Sequence, residues 1–72
     1  MEKAVHDVDD LYVGWSTVRD ADKGSEFWCF IGKTHKKFFG NSLYRFIVFN
    51  VNTQRVRTEF LSDEGVIFYV LS

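Results

Sequence analysis

Hydrophobic residues in this chain fall in short runs rich in Val, Ile, Phe, Tyr and Trp. Polar turn residues separate the runs at fairly regular intervals, a rhythm that favours strands over helices. Leu11 to Val18 sets Leu11, Val13, Trp15 and Thr17 against Tyr12, Gly14, Ser16 and Val18, which predicts a first strand, with Gly14 marking a bulge or a close backbone approach. Arg19 to Ser25 reads as a turn that returns the chain as a hairpin into a second strand, Glu26 to Ile31. Gly32 to Asn41 reads as a polar, basic connection with Phe38 and Phe39 embedded in it. Leu43 to Phe49 is the strongest strand, followed by a turn at Asn50 to Thr53. Gln54 to Leu61 alternates cleanly, with Val56, Thr58 and Phe60 on one face and Arg55, Arg57 and Glu59 on the other. Ser62 to Gly65 turns again, and Val66 to Leu71 reads as a fifth, uninterrupted apolar strand.

Helix fits only at the start. Val5, Val8, Tyr12 and Trp15 make a helical stripe, but extending it that far puts Val13-Gly14 inside the helix, so a short N-terminal helical turn is confined to the first ten residues. The expected fold is mostly β: a five-stranded antiparallel meander, as a bent sheet or small open barrel, in one domain spanning residues 1–72.

Two features of the pattern bear on function. Tyr44, Phe46 and Val48 oppose Leu43, Ile47 and Phe49, and the final run is apolar throughout, so two strands are greasy on both faces. A one-layer sheet hides one face only; the other requires a helix, barrel closure or another chain. The last strand also has neither Pro nor charge to blunt its edge, and a bare edge invites pairing. A homodimer or a protein partner is therefore expected.

Composition narrows the class. The 72 residues are 46% hydrophobic and 18% aromatic, enough for a core without staples and against disorder. Cys29 is the single cysteine and sits in the run Phe27-Trp28-Cys29-Phe30-Ile31, which reads as a small buried hydrophobe in a reducing, cytoplasmic setting. No apolar stretch approaches the roughly 20 residues that cross a bilayer, and the first residues lack the apolar centre of a signal peptide, so no membrane role is expected. Net charge is −1, but it is segregated: no acid occurs between Phe27 and Arg57, while Lys33, Lys36, Lys37, Arg45, Arg55 and Arg57 all lie there. Such segregation makes basic and acidic faces that steer partners.

Catalytic motifs fail on inspection. Gly32-Lys33-Thr34 ends like a phosphate-binding loop, but position 27, where the pattern needs glycine, is Phe. Asp20, Asp22, Gly24 and Glu26 begin like a calcium loop, but its bidentate Glu would be Ile31. His6 with Asp7, Asp9 and Asp10 lacks the ligands of a specific metal site, and no Ser lies in a nucleophile elbow. No catalytic residue, metal or cofactor is expected.

The segment from Lys33 to Phe46 interleaves cations with rings, which suits single-stranded RNA or DNA, though equally a solvated loop whose rings tuck into the core or a dock for an acidic protein. Leu43-Tyr44-Arg45-Phe46-Ile47-Val48-Phe49 followed by Gln54-Arg55-Val56-Arg57 resembles the C-terminal hairpin of RelE-type ribonuclease toxins, over less than a third of the chain. That resemblance implies a ribonuclease, for which His35 and the neighbouring lysines are the available groups, but the helical first half and terminal site of those toxins are missing. The expectation is a non-enzymatic protein-binding, inhibitor or accessory domain acting by surface occlusion or self-association. Lys33, Lys36, Lys37, Arg45, Arg55 and Arg57 would supply charge, and Phe38, Phe39 and Tyr44 would serve as anchors. The alternative is an RNA or single-stranded DNA-binding module using residues 33–46.

Overall fold

In the computed structural model, which describes residues 7–71, four strands pair antiparallel in the order in which the chain makes them. They are β1 (Ser16–Ala21), β2 (Gly24–Phe38), β3 (Asn41–Asn50) and β4 (Arg55–Leu61). The sheet does not close: β1 and β4 are its two edges. The meander is as expected, but it has four strands rather than five.

Local chemistry sets each connection. Ala21 pairs with Gly24, leaving Asp22 and Lys23 as the β1–β2 loop. Gly24 takes φ +117, and a Cβ there would collide with the side-chain amide of Asn52, so only glycine fits. Phe38 pairs with Asn41 around Phe39 and Gly40, whose φ values of +51 and +81 match the two-residue turn that suits strand twist. At the β3–β4 connection the Asn50 side-chain oxygen accepts from the amides of Asn52 (2.9 Å) and Thr53 (3.0 Å), while the Gln54 amide donates to the Asn50 carbonyl at 2.8 Å.

The expected basic connection at Gly32 to Asn41 is instead strand. β2 runs on to Phe38, and its register against β3 slips between Phe30 and Gly32 and again between Lys33 and Lys37. These bulges absorb extra residues on β2, so a stretch with no alternation of its own still forms a ribbon because β3 is there to pair with it. The first strand begins at Ser16 rather than Leu11. Ahead of it, Gly14 donates to the Phe30 carbonyl (2.9 Å) and Phe30 donates to that of Trp15 (2.8 Å); glycine suits position 14 by its φ of +96 rather than by the close approach expected there, since a Cβ would meet open space.

The larger correction is at the C-terminus. Val66 to Leu71 is not a strand: Ser62 caps a short helix, α1 (Asp63–Val66), by accepting from the Gly65 amide at 3.4 Å, and the chain continues as a wider helical turn over Ile67–Leu71. Asp63 and Glu64 stand in the first turn, where the helix dipole favours acids. Val66 and Val70, one turn apart, are buried, whereas Ile67, Phe68 and Tyr69 are exposed. The expected N-terminal helix is not matched either. Within the described residues there is only a three-residue turn, Val8–Asp10, capped by the Asp7 side chain, and residues 1–6 of that expectation lie outside the described residues.

The core lies on one side of the sheet. Trp28 and Phe30 from β2 meet Tyr44, Phe46 and Val48 from β3, and Val8, Val66 and Val70 close over them, with Leu11, Trp15, Leu61 and Leu71 at the margin. Phe46 is at its centre, with Phe30 and Trp28 at ring distances of 5.3 and 5.8 Å. Phe46, Val48 and Val66 are fully buried.

Candidate functional site

Strand alternation decides what the opposite side of the sheet presents. The register aligns Val18, Phe27, Phe49 and Val56 in one row across all four strands, and Ser16, Cys29, Ile47 and Thr58 in the next. Beyond them Gly32, Arg45 and Phe60 form a third row on the last three strands. The N-terminal turn and the C-terminal helical segment both belong to the other side, so this face keeps Val56 62%, Val18 53% and Phe27 45% exposed. Cys29, Ile47 and Phe49 between them are half-buried by neighbouring side chains of the same face. The alternation of β4 is present as read, but Val56 and Phe60 face solvent while Arg57 and Glu59 lie on the core side.

At one end of this face the β2–β3 hairpin carries the basic cluster. Lys36 and Arg45 both stand over the Phe60 ring, at 4.5 and 5.3 Å from its centre. A surface pocket of about 370 Å³ is lined by Gly32, Lys33, Thr34, His35, Lys36 and Arg45, with no carboxylate in its wall. Among the described residues none of Lys33, Lys36, Lys37 or Arg45 has an ion-pair partner, and Arg45 Nε is buried without a hydrogen bond. Thr34 holds the bulged strand by donating from its hydroxyl to the Leu43 carbonyl (2.9 Å) and accepting from the Lys36 amide (3.1 Å). Phe38 and Phe39 cap the hairpin tip, edge to face at 4.4 Å and exposed.

On the core side, the other end of the sheet holds a charged cleft. Arg57 forks onto Glu26, with Nη1 to Oε2 at 2.7 Å and Nη2 to Oε1 at 3.3 Å, while Trp28 Nε1 donates to the same carboxylate at 3.3 Å. Arg19 and Arg57 both reach over the Trp28 ring, each at 5.7 Å. The Arg57 hydrogen bond holds the Glu26 carboxyl below its ordinary value even though burial opposes it, and Glu26 raises Arg57 in turn. Both partners are satisfied by each other.

The residues singled out from sequence thus separate. Lys33, Lys36, Lys37, Phe38, Phe39 and Arg45 gather on one hairpin; Arg55 lies exposed at the start of β4; Arg57 is tied to Glu26. Tyr44, expected as an exposed anchor, is buried beside Phe30 in the core. Burial raises its hydroxyl pKa, as do the charge of Asp63 and a hydrogen bond with it. Val18, Phe27, Ile47 and Phe49 were not singled out. Their signal was the two-sided apolar pattern, which does not say which face is covered.

No protein-family model matches the chain, and no curated protein or solved structure matches it. Among the described residues no three His, Cys, Asp or Glu side chains are placed to hold a metal ion, and no helix is long and apolar enough to cross a membrane.

Proposed function

We propose that this protein is a non-enzymatic protein-binding domain that acts by covering its open sheet face, and that the occupant is a second copy of the chain. The observation that carries the reading is the row Val18, Phe27, Phe49 and Val56, three exposed apolar side chains and the half-buried Phe49 aligned across every strand of a sheet already covered on its other side. Two such faces stack about 10 Å apart with side chains interdigitating, which turns a half-covered sheet into a sandwich.

Charge supports the same occupant, and size sets its strength. Four strands about 4.8 Å apart and about seven residues long present a flat footprint of roughly 400 Å² per copy, about 800 Å² for the pair, below the roughly 1,000 Å² of stable specific interfaces, so the dimer is a weak, concentration-dependent one. By alternation Asp20 stands on this face at the β1–β2 end, while Lys36 and Arg45 stand at the opposite end. A two-fold axis lying across the strands brings the acidic end of one sheet to the basic end of the other.

The test is sedimentation equilibrium over a concentration series up to about 500 µM, the range an interface of this size demands. The wild type is expected to show a reversible monomer–dimer equilibrium. Val56→Glu, at an exposed position that the fold does not use, is expected to abolish it while keeping the far-ultraviolet spectrum. A wild type that stays monomeric throughout, or a variant that dimerises equally well, overturns the reading.

A further inference from the structure

We infer that the β2–β3 hairpin is a binding site for single-stranded nucleic acid, with phosphates held in the Lys33–Lys36–Arg45 pocket and a base stacked on the exposed tip ring of Phe39. This site shares Lys36 and Arg45 with the basic end of the self-association face but does not need a second copy, so it is open in the monomer. Three observations converge on it. The pocket wall is cationic from several sides and contains no carboxylate, and its lysines and arginine have no ion-pair partner among the described residues, so their charge is free for a ligand. The guanidinium of Arg45 is held by stacking on Phe60 rather than by an acid, which orients it without neutralising it. Phe39, 89% exposed, displays its ring from a left-handed backbone conformation that glycine or asparagine adopts more readily, and it contributes nothing to the core.

The spacing distinguishes this ligand from other anions. Single strands need flat rings and cations in alternation along a track, since every base has a stacking face and every linkage a charge. Along this ribbon the tip rings, Lys36 against Phe60, and the pocket follow one another from tip to base. An anionic membrane would engage the two tip rings but leave the pocket, set back at the hairpin base, unused.

Fluorescence anisotropy with a labelled oligothymidylate of about twelve nucleotides tests the site, with phosphatidylglycerol vesicles as a parallel arm. If Lys33, Lys36 and Arg45 all meet phosphates, log K falls against log salt with a slope of about −2, an affinity loss of about 20-fold between about 50 and 200 mM salt. The double variant Lys36→Ala/Arg45→Ala is expected to reduce the slope to about −0.7. Phe39→Asn keeps the turn conformation, leaves the slope unchanged and weakens binding by about tenfold. Val56→Glu, which leaves the hairpin intact, is expected to bind as the wild type does. The inference is overturned by absence of binding at about 50 mM salt, by a slope indifferent to the double variant, by loss of binding in Val56→Glu, or by binding to vesicles alone. All variants are compared at matched melting temperature, so an unfolded variant is not read as a lost contact.

Discussion

Replacing Arg57 with methionine keeps a long apolar stem against Trp28 and removes the charge that Glu26 depends on. Glu26 is among the few buried polar residues described, and without Arg57 its carboxylate retains only the Trp28 Nε1 bond at 3.3 Å and the weaker side-chain interaction with Asn50. Stranding a buried charge costs about 3–5 kcal/mol when the pair is fully enclosed. Arg57 is half exposed, with 46% of its side chain accessible, so water screens the pair and the expected loss is about 1–3 kcal/mol. At about 4–8 °C per kcal/mol for a domain of this size, the melting temperature falls by roughly 10 °C near neutral pH.

The pH dependence makes the argument specific. Because the folded state lowers the Glu26 pKa from its ordinary 4.5, it binds this proton less tightly than the unfolded chain does. The stabilisation is complete above the unfolded value and disappears as pH falls through the lower folded value. The gap between wild type and Arg57→Met is therefore widest near neutral pH and closes as pH falls from 4.5 through the lowered folded value, below which Glu26 is protonated in both. Glu26→Gln/Arg57→Met is expected to recover part of the neutral-pH loss, since no unpaired charge remains. Thermal melts followed by circular dichroism across this range provide the assay. A wild-type-to-variant gap that is the same at both ends, or below about 0.5 kcal/mol throughout, refutes the reasoning.

Three further outcomes follow from the core and the turns. Phe46→Ala empties the centre of the aromatic cluster and is expected to cost about 3–5 kcal/mol, which chemical denaturation would detect as a midpoint shift or outright unfolding. Gly24→Ala meets both a φ of +117 and the Asn52 amide, for an expected loss of about 1–3 kcal/mol; adding Asn52→Ala relieves the collision and should restore only part of it. Tyr44 titrates above its ordinary 10.0, first because burial disfavours the phenolate and then because of Asp63. Its stabilising effect is full below about pH 10 and lost as pH rises through the folded value, so Tyr44→Phe should flatten the alkaline limb of stability measured against the wild type.

Where local chemistry suffices, the sequence alone determined the outcome. The strand expected at Leu43 to Phe49 lies within β3, the one expected at Gln54 to Leu61 is β4 to within a residue, and the β1–β2 and β3–β4 turns fall within the stretches expected at Arg19 to Ser25 and after Asn50. Alternation over two-residue periods and turn side chains act within a few residues, so they survive whatever the rest of the chain does. The cap at Ser62, followed by Asp63 and Glu64, was also legible in principle, but the apolar run after it satisfies strand and helix alike.

Tertiary structure decided the rest. Val66 to Leu71 became helical because the Ser62 cap starts a helix whose single turn brings Val66 and Val70 onto the core and leaves out Phe68, which a strand would have put on the same face, and Gly32 to Phe38 became strand because β3 offered a partner. The same docking determined which side of β3 was covered. Tyr44 went into the core, while Phe27, Phe49 and Val56 were placed on the open face, since a pleated strand gives both sides equal standing until something packs against one of them.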